Sequence, residues 1–217
     1  TNSVGTNNTA VGYLALYTNT ASNNIAVGYR SLFLNTTGTL NVAVGTSALE
    51  NNTIGTSNIA VGYAALFTNT TGINNTAVGH QSLYSNTTGV NNTAVGLNAL
   101  SSNTTGGANT AVGRSSLTGN TIGINNSAFG HYTLLNNTTG NSNVAVGWSA
   151  LQANTIGYRN TAMGVSSLKS NTTGNLNSAF GYYALNANTI GAANVAVGYM
   201  ASRLNTVGDH NSSFGYF

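Results

Sequence analysis

One interval governs this chain. The glycine that follows Ala-Val or a close variant of it recurs at Gly28, Gly45, Gly62, Gly79, Gly96, Gly113, Gly130, Gly147, Gly164, Gly181, Gly198 and Gly215, eleven steps of 17 without an insertion or deletion. A fixed period of this size marks a stacked-repeat architecture, because a unit so short cannot bury an apolar face except against its neighbours. A further unit, from Gly12 to Gly28, is one residue shorter and has Ser22 where the others place a second glycine.

Counted from that glycine, the unit reads G-x-x-A-L-x-x-N-T-T-G-x-x-N-x-A-V. Two glycines imply two tight turns and hence two short extended legs per coil. The Asn-x-Ala-Val leg alternates β-branched residues, as in Ile25 and Val27 or Val144 and Val146, which is strand patterning. Four or five residues between glycines are too few for a helix. The fold expected is all-β, a parallel β-solenoid or β-roll of about twelve 17-residue coils, with residues 1–217 forming one repeat domain. Since Thr1 falls inside a unit, the chain is expected to be part of a longer protein or fibre.

Columns of identical residues then suggest roles. Leu32, Leu49, Leu66, Leu83, Leu100, Leu117, Leu134, Leu151, Leu168 and Leu185 recur at one position and are expected in the core, with Val44, Val61, Val78, Val95 and Val112 as their partners. Each buried Leu or Val contributes about 1.5–3 kcal/mol. Ala43, Ala60, Ala77, Ala94, Ala111, Ala128 and Ala145 alternate with the valines, so they point to the opposite face. Small residues kept there imply close approach to another surface, and an interface with other copies is the expectation. Two Asn columns, one through Asn35, Asn52 and Asn69 and one through Asn24, Asn41 and Asn194, read as hydrogen-bonded ladders and turn formers.

The chemistry of the chain is narrow. Only two Asp or Glu and five Lys or Arg occur in 217 residues, with no Cys and no Pro, against about 25% charged residues in ordinary domains. Glu50 and Asp209 are nine units apart, roughly 43 Å at one strand spacing per coil. Paired-carboxylate catalysis within one chain is thereby excluded, and calcium repeats rich in Asp are excluded with it. His80 and His131 share a position three coils apart, too far to share a metal; most other places in that column hold aromatics, such as Tyr29, Tyr63, Trp148, Tyr182 and Tyr199. No enzyme activity, cofactor or metal is expected. The basic residues are scattered and offer no nucleic-acid footprint, and no apolar run approaches the about 20 residues of a membrane span.

The repeated core, as in Asn41-Val42-Ala43-Val44-Gly45 and Asn194-Val195-Ala196-Val197-Gly198, resembles the head repeats of YadA-like trimeric autotransporter adhesins. NTAVG and NTTG arrays of this kind are also similar to segments of phage fibres and large surface proteins. The resemblance implies a left-handed roll, trimeric association and a head that binds host, matrix or glycan surfaces, located outside the cell. The unit here is longer than in those adhesins. The leading functional expectation is a structural or adhesive extracellular fibre element that associates with copies of itself. A virion fibre segment for receptor binding or spacing is the second reading. An ice-binding solenoid is the third, suggested by the rank Thr36, Thr53, Thr70, Thr87, Thr104, Thr121, Thr138, Thr155, Thr172, Thr189 and Thr206.

Overall fold

A computed structural model describes residues Gly5–Phe217. The fold is an all-β parallel solenoid with one three-residue strand per coil. Two compact units divide the chain, Thr1–Ala108 and Asn109–Phe217. The first carries β1 (Thr9–Val11), β2 (Ile25–Val27), β3 (Val42–Val44), β4 (Ile59–Val61), β5 (Thr76–Val78) and β6 (Thr93–Val95). The second carries β7 (Thr110–Val112), β8 (Ser127–Phe129), β9 (Val144–Val146), β10 (Thr161–Met163), β11 (Ser178–Phe180), β12 (Val195–Val197) and β13 (Ser212–Phe214). Within each unit every strand pairs in parallel with the next in sequence, Ala on Ala as in Ala43 with Ala60 and Ala128 with Ala145, until the last pair sets Ala196 on Ser213. The short coil keeps this register, pairing Ala10 with Ala26, so its missing residue is absorbed in the turn around Ser22.

Each strand ends where the glycine takes φ between 119° and 138°, a region that side-chain-bearing residues rarely adopt. At Gly130 a Cβ would also lie 2.6 Å from the carbonyl oxygen of Gly147. Backbone therefore stacks on backbone at this corner.

The leucine leg is not the second strand that two glycines suggested. It is a run of turns in which Tyr132 (φ 59°) and Leu134 (φ 48°) are left-handed, and every core leucine shares this conformation with φ between 48° and 55°. A third left-handed residue, such as Asn125 (φ 58°), precedes the strand. Such residues cost about 1–2 kcal/mol each. Bonds between coils offset that cost: the Leu134 amide donates to Ala150 O (3.0 Å), the Asn136 amide to Gln152 O (3.1 Å), and the Tyr132 amide back to Arg114 O (3.2 Å). Bending at every second residue lets this leg bond to both neighbours without a strand ladder.

The core is thinner than the columns implied. Leu32, Leu49, Leu66, Leu83, Leu100, Leu117, Leu134, Leu151, Leu168 and Leu185 are fully buried, and facing them, equally buried, are Ala43, Ala60, Ala77, Ala94, Ala111, Ala128 and Ala145. The alanines therefore line the interior of their own chain and offer nothing to a partner. Correspondingly, the expected core valines lie on the outside: Val44 and Val95 are each 36% exposed, and Val61, Val78 and Val112 are half-buried. The physical reason is width. Once the leucine occupies the interior, the gap to the strand admits a methyl group and nothing larger, so the branched residues on either side of each alanine face out.

Candidate functional site

The polar columns are consumed by the fold. From Asn35 on, the side-chain amides of the first Asn column donate along the stack and to a glycine carbonyl: Asn154 Nδ2 reaches Asn137 Oδ1 (2.8 Å) and Gly157 O (2.9 Å), while Asn171 Nδ2 reaches Asn154 Oδ1 (2.9 Å). The second column meets the same carbonyl from the other side, with Asn143 Nδ2 to Gly157 O at 2.8 Å, and Asn143 also contacts Asn126 Oδ1 through its backbone and side-chain nitrogens. These residues are fully buried and hydrogen-bonded on their donor and acceptor atoms, as buried polar groups must be. They are ladders, with nothing left over to hold a ligand.

The threonine rank is engaged as well. Thr36 Oγ1 donates to Thr53 O (2.9 Å), Thr87 Oγ1 to Thr104 O (3.1 Å) and Thr155 Oγ1 to Thr172 O (3.1 Å). A hydroxyl that donates its proton along the coil direction no longer offers it to an outside lattice of water.

Titratable side chains are dispersed, and both carboxylates are partnered within the fold. Glu50, 8% exposed, pairs with Arg30 at 2.9 Å, and the Arg30 guanidinium lies 4.4 Å from the Phe33 ring centroid. Asp209 accepts the Ala192 amide at 2.6 Å. Among the described residues no three His, Cys, Asp or Glu gather where a metal would bind. Lys169 sits over Trp148 and Arg203 over Tyr183, so the cations are spread over aromatic rings and form no patch.

The aromatic column expected from sequence is a set of stacks. His80 lies on Tyr63 with ring centroids 5.0 Å apart, and His131 lies on Tyr132 at 3.8 Å. Tyr182, Tyr199 and Tyr216 continue one on the next at 5.2 and 5.0 Å, each pair within 9° of parallel. The Tyr182 phenol is held above its ordinary pKa first by desolvation and then by Tyr183 and Tyr199. Rings stacked this way cover each other's faces and turn their edges outward, so a sugar seeking a ring face finds it occupied except at the end of a stack.

What remains available is the outer face of the strands, which sequence reasoning assigned to the core. From β2 to β12 the first and third residues of each strand flank a buried alanine and point away from it, while the middle residues of β1 and β13 are exposed Ala10 and half-buried Ser213. In the first unit all twelve are Thr, Ile or Val. In the second unit they include Phe129, Met163, Phe180 and Phe214, exposed by 42%, 42%, 37% and 75%. No charged residue occurs at any of these positions in either unit. Alternation of the pattern was visible in the sequence; its inward side was not.

No protein-family model, curated protein or solved structure matches this chain.

Proposed function

We propose that this chain is a structural or adhesive element of an extracellular fibre at a cell surface, built to present a repeated surface and to associate with copies of itself. The observation that carries the reading is the uninterrupted in-register repetition, in which each coil's amides, Asn side chains and Thr hydroxyls are spent on the next coil. A solenoid built to bind a small ligand or catalyse usually carries loops on one face, and here the coils keep one length almost throughout. The two carboxylates are each tied to a partner within the fold, Glu50 to Arg30 and Asp209 to a backbone amide, which supports a role other than catalysis. Resemblance to trimeric adhesin heads belongs to the same proposal, as do the left-handed winding and the host, matrix or glycan surface as target.

A virion fibre segment is physically equivalent and differs in location. The ice-binding reading loses support from the engaged Thr36 rank, and a thermal hysteresis measurement decides it. The main reading is tested by negative-stain electron microscopy of the purified chain, with binding to immobilised matrix proteins and glycans measured in parallel. Elongated particles that associate, or retention on such a surface, are expected. Isolated compact particles that bind none of these surfaces would overturn it.

A further inference from the structure

The outer strand face of the second unit carries a size correlation. Its third-position residues are Val112, Phe129, Val146, Met163, Phe180, Val197 and Phe214, and its first-position residues are Thr110, Ser127, Val144, Thr161, Ser178, Val195 and Ser212. Wherever the third position is Phe, the first is Ser; wherever the third is Val, the first is Thr or Val. In the first unit the third position is always Val and the first is Thr, Ile or Val, never Ser. The smallest residue thus accompanies the largest in three coils out of three. On a face bathed in water the volume at one position places no demand on the other, since a large side chain simply extends into solvent. Constant summed volume is the signature of a packed layer of fixed thickness.

We infer that this face is covered by the same face of a second copy of the chain, related by a two-fold axis running along the direction in which the strands stack. The symmetry operation explains the correlation. Rotation about that axis turns one sheet face down onto the other, keeps coils of equal number level with each other, and exchanges left for right along the strand. The first residue of each strand then opposes the third residue of the partner's equivalent strand. Ser127 leaves the space that the partner's Phe129 fills, and the same holds for Ser178 with the partner's Phe180 and Ser212 with the partner's Phe214. A two-fold along the strand direction would instead set first positions on first and third on third, placing the bulky rank on itself.

The second unit alone offers fourteen outward strand residues, two from each of its seven strands. Their composition, without a single charge, matches the core of an interface better than a rim. Facing sheets settle about 10 Å apart, a distance that interdigitated Phe and Ser fill. In-register coils also give the two ladders the same repeat, so contact made in one coil is reproduced in the next.

This inference rests on the self-association in the proposed function, with two copies in place of the three that the adhesin resemblance implies, and the experiments separate the two. Sedimentation equilibrium and light scattering on the full chain are expected to give the mass of two copies. Ser178→Phe sets Phe against Phe and is expected to weaken association at least about 100-fold, whereas the exchange Ser178→Phe with Phe180→Ser restores the Phe–Ser opposition and returns the affinity to within about tenfold of the parent. Circular dichroism on each variant checks that the coils are intact, which is expected because both side chains point outward. Geometry is read from spin labels: the chain has no cysteine, so Asn125→Cys and Ala193→Cys, four coils apart in one column, can each be labelled alone. Similar short distances between copies at both sites support the parallel two-fold; distances that differ by tens of ångströms indicate an antiparallel pair and overturn it. A monomer, a three-chain mass, or an exchange variant as weak as the single one would overturn it too. Two-copy particles that neither form fibres nor bind a surface would leave this inference standing and remove the fibre reading; fibres unaffected by Ser178→Phe would do the reverse.

Discussion

Asn154→Asp is the substitution that separates a buried hydrogen-bond ladder from a mere column of turn residues. It is nearly isosteric, but it replaces the Nδ2 donor, which lies 2.8 Å from Asn137 Oδ1 and 2.9 Å from Gly157 O, with an acceptor facing two acceptors. Asn154 is fully buried, and its side chain meets Asn137, Gly157 O and Asn171, none of them charged. As a reference, Asn154→Ala removes three hydrogen bonds and deprives Asn137 Oδ1 of this donor, a loss of about 4–6 kcal/mol when each net bond is worth about 1 kcal/mol and an abandoned buried acceptor costs about 1–3. The introduced carboxylate is desolvated and set against oxygens, so its folded-state pKa rises by as much as about 3 units above the ordinary 3.9. A raised folded pKa means the folded state binds more protons than the unfolded chain. Stability of this variant therefore increases as pH falls from 7 through the folded pKa, by up to about 1.4 kcal/mol per unit. The protonated acid still donates one hydrogen bond, which Ala cannot. The two variants should consequently change order: Asn154→Asp less stable than Asn154→Ala at pH 7, more stable at pH 4.5. Urea unfolding followed by Trp148, the single tryptophan and in the same coil, reads this locally. Background titration is small with two Asp or Glu and three His in the chain. An unchanged order at the two pH values would refute the ladder argument.

Three further outcomes are expected. Ala145→Leu puts three extra carbons into a gap sized for a methyl and should lower stability by about 1–3 kcal/mol in urea melts; joint replacement of Ala94, Ala111 and Ala128 with Lys should abolish folding rather than disperse an assembly, as loss of the β-sheet circular dichroism signal would reveal. Leu134→Ala should cost about 2–5 kcal/mol, and Leu134→Gly no more than that despite the usual penalty for glycine, because glycine relieves a left-handed φ of 48°; a Gly variant clearly worse than the Ala variant would contradict the strain assigned to this leg. Removing Gly130 to Val146, one whole period, should leave a cooperative melt close to the parent's, since stability in such arrays is roughly a sum over units and their interfaces, while removing eight residues from the same coil should not.

The sequence by itself determined the periodic features. The 17-residue interval dictates stacking of equivalent positions, and stacking of equivalents makes the Leu column a core and the two Asn columns ladders, whatever the path of the chain between them. It also determined that Ala and its branched neighbours face opposite ways, because that follows from strand geometry. Which of the two faces is the inside was decided only by the tertiary structure. Alternation is symmetric under exchange of inside and outside, and the choice depends on the width left beside Leu100 or Leu134, a distance between segments that no local pattern contains. The same holds for the left-handed leucines: Leu has no local preference for that conformation, and it is adopted because amides and carbonyls of adjacent coils reward it, as Leu134 and Ala150 do. Placing the alanines inside left Phe129, Phe180 and the valines outside. The apolar surface left outside is therefore the complement of the one a hydrophobic reading of Val and Leu selects.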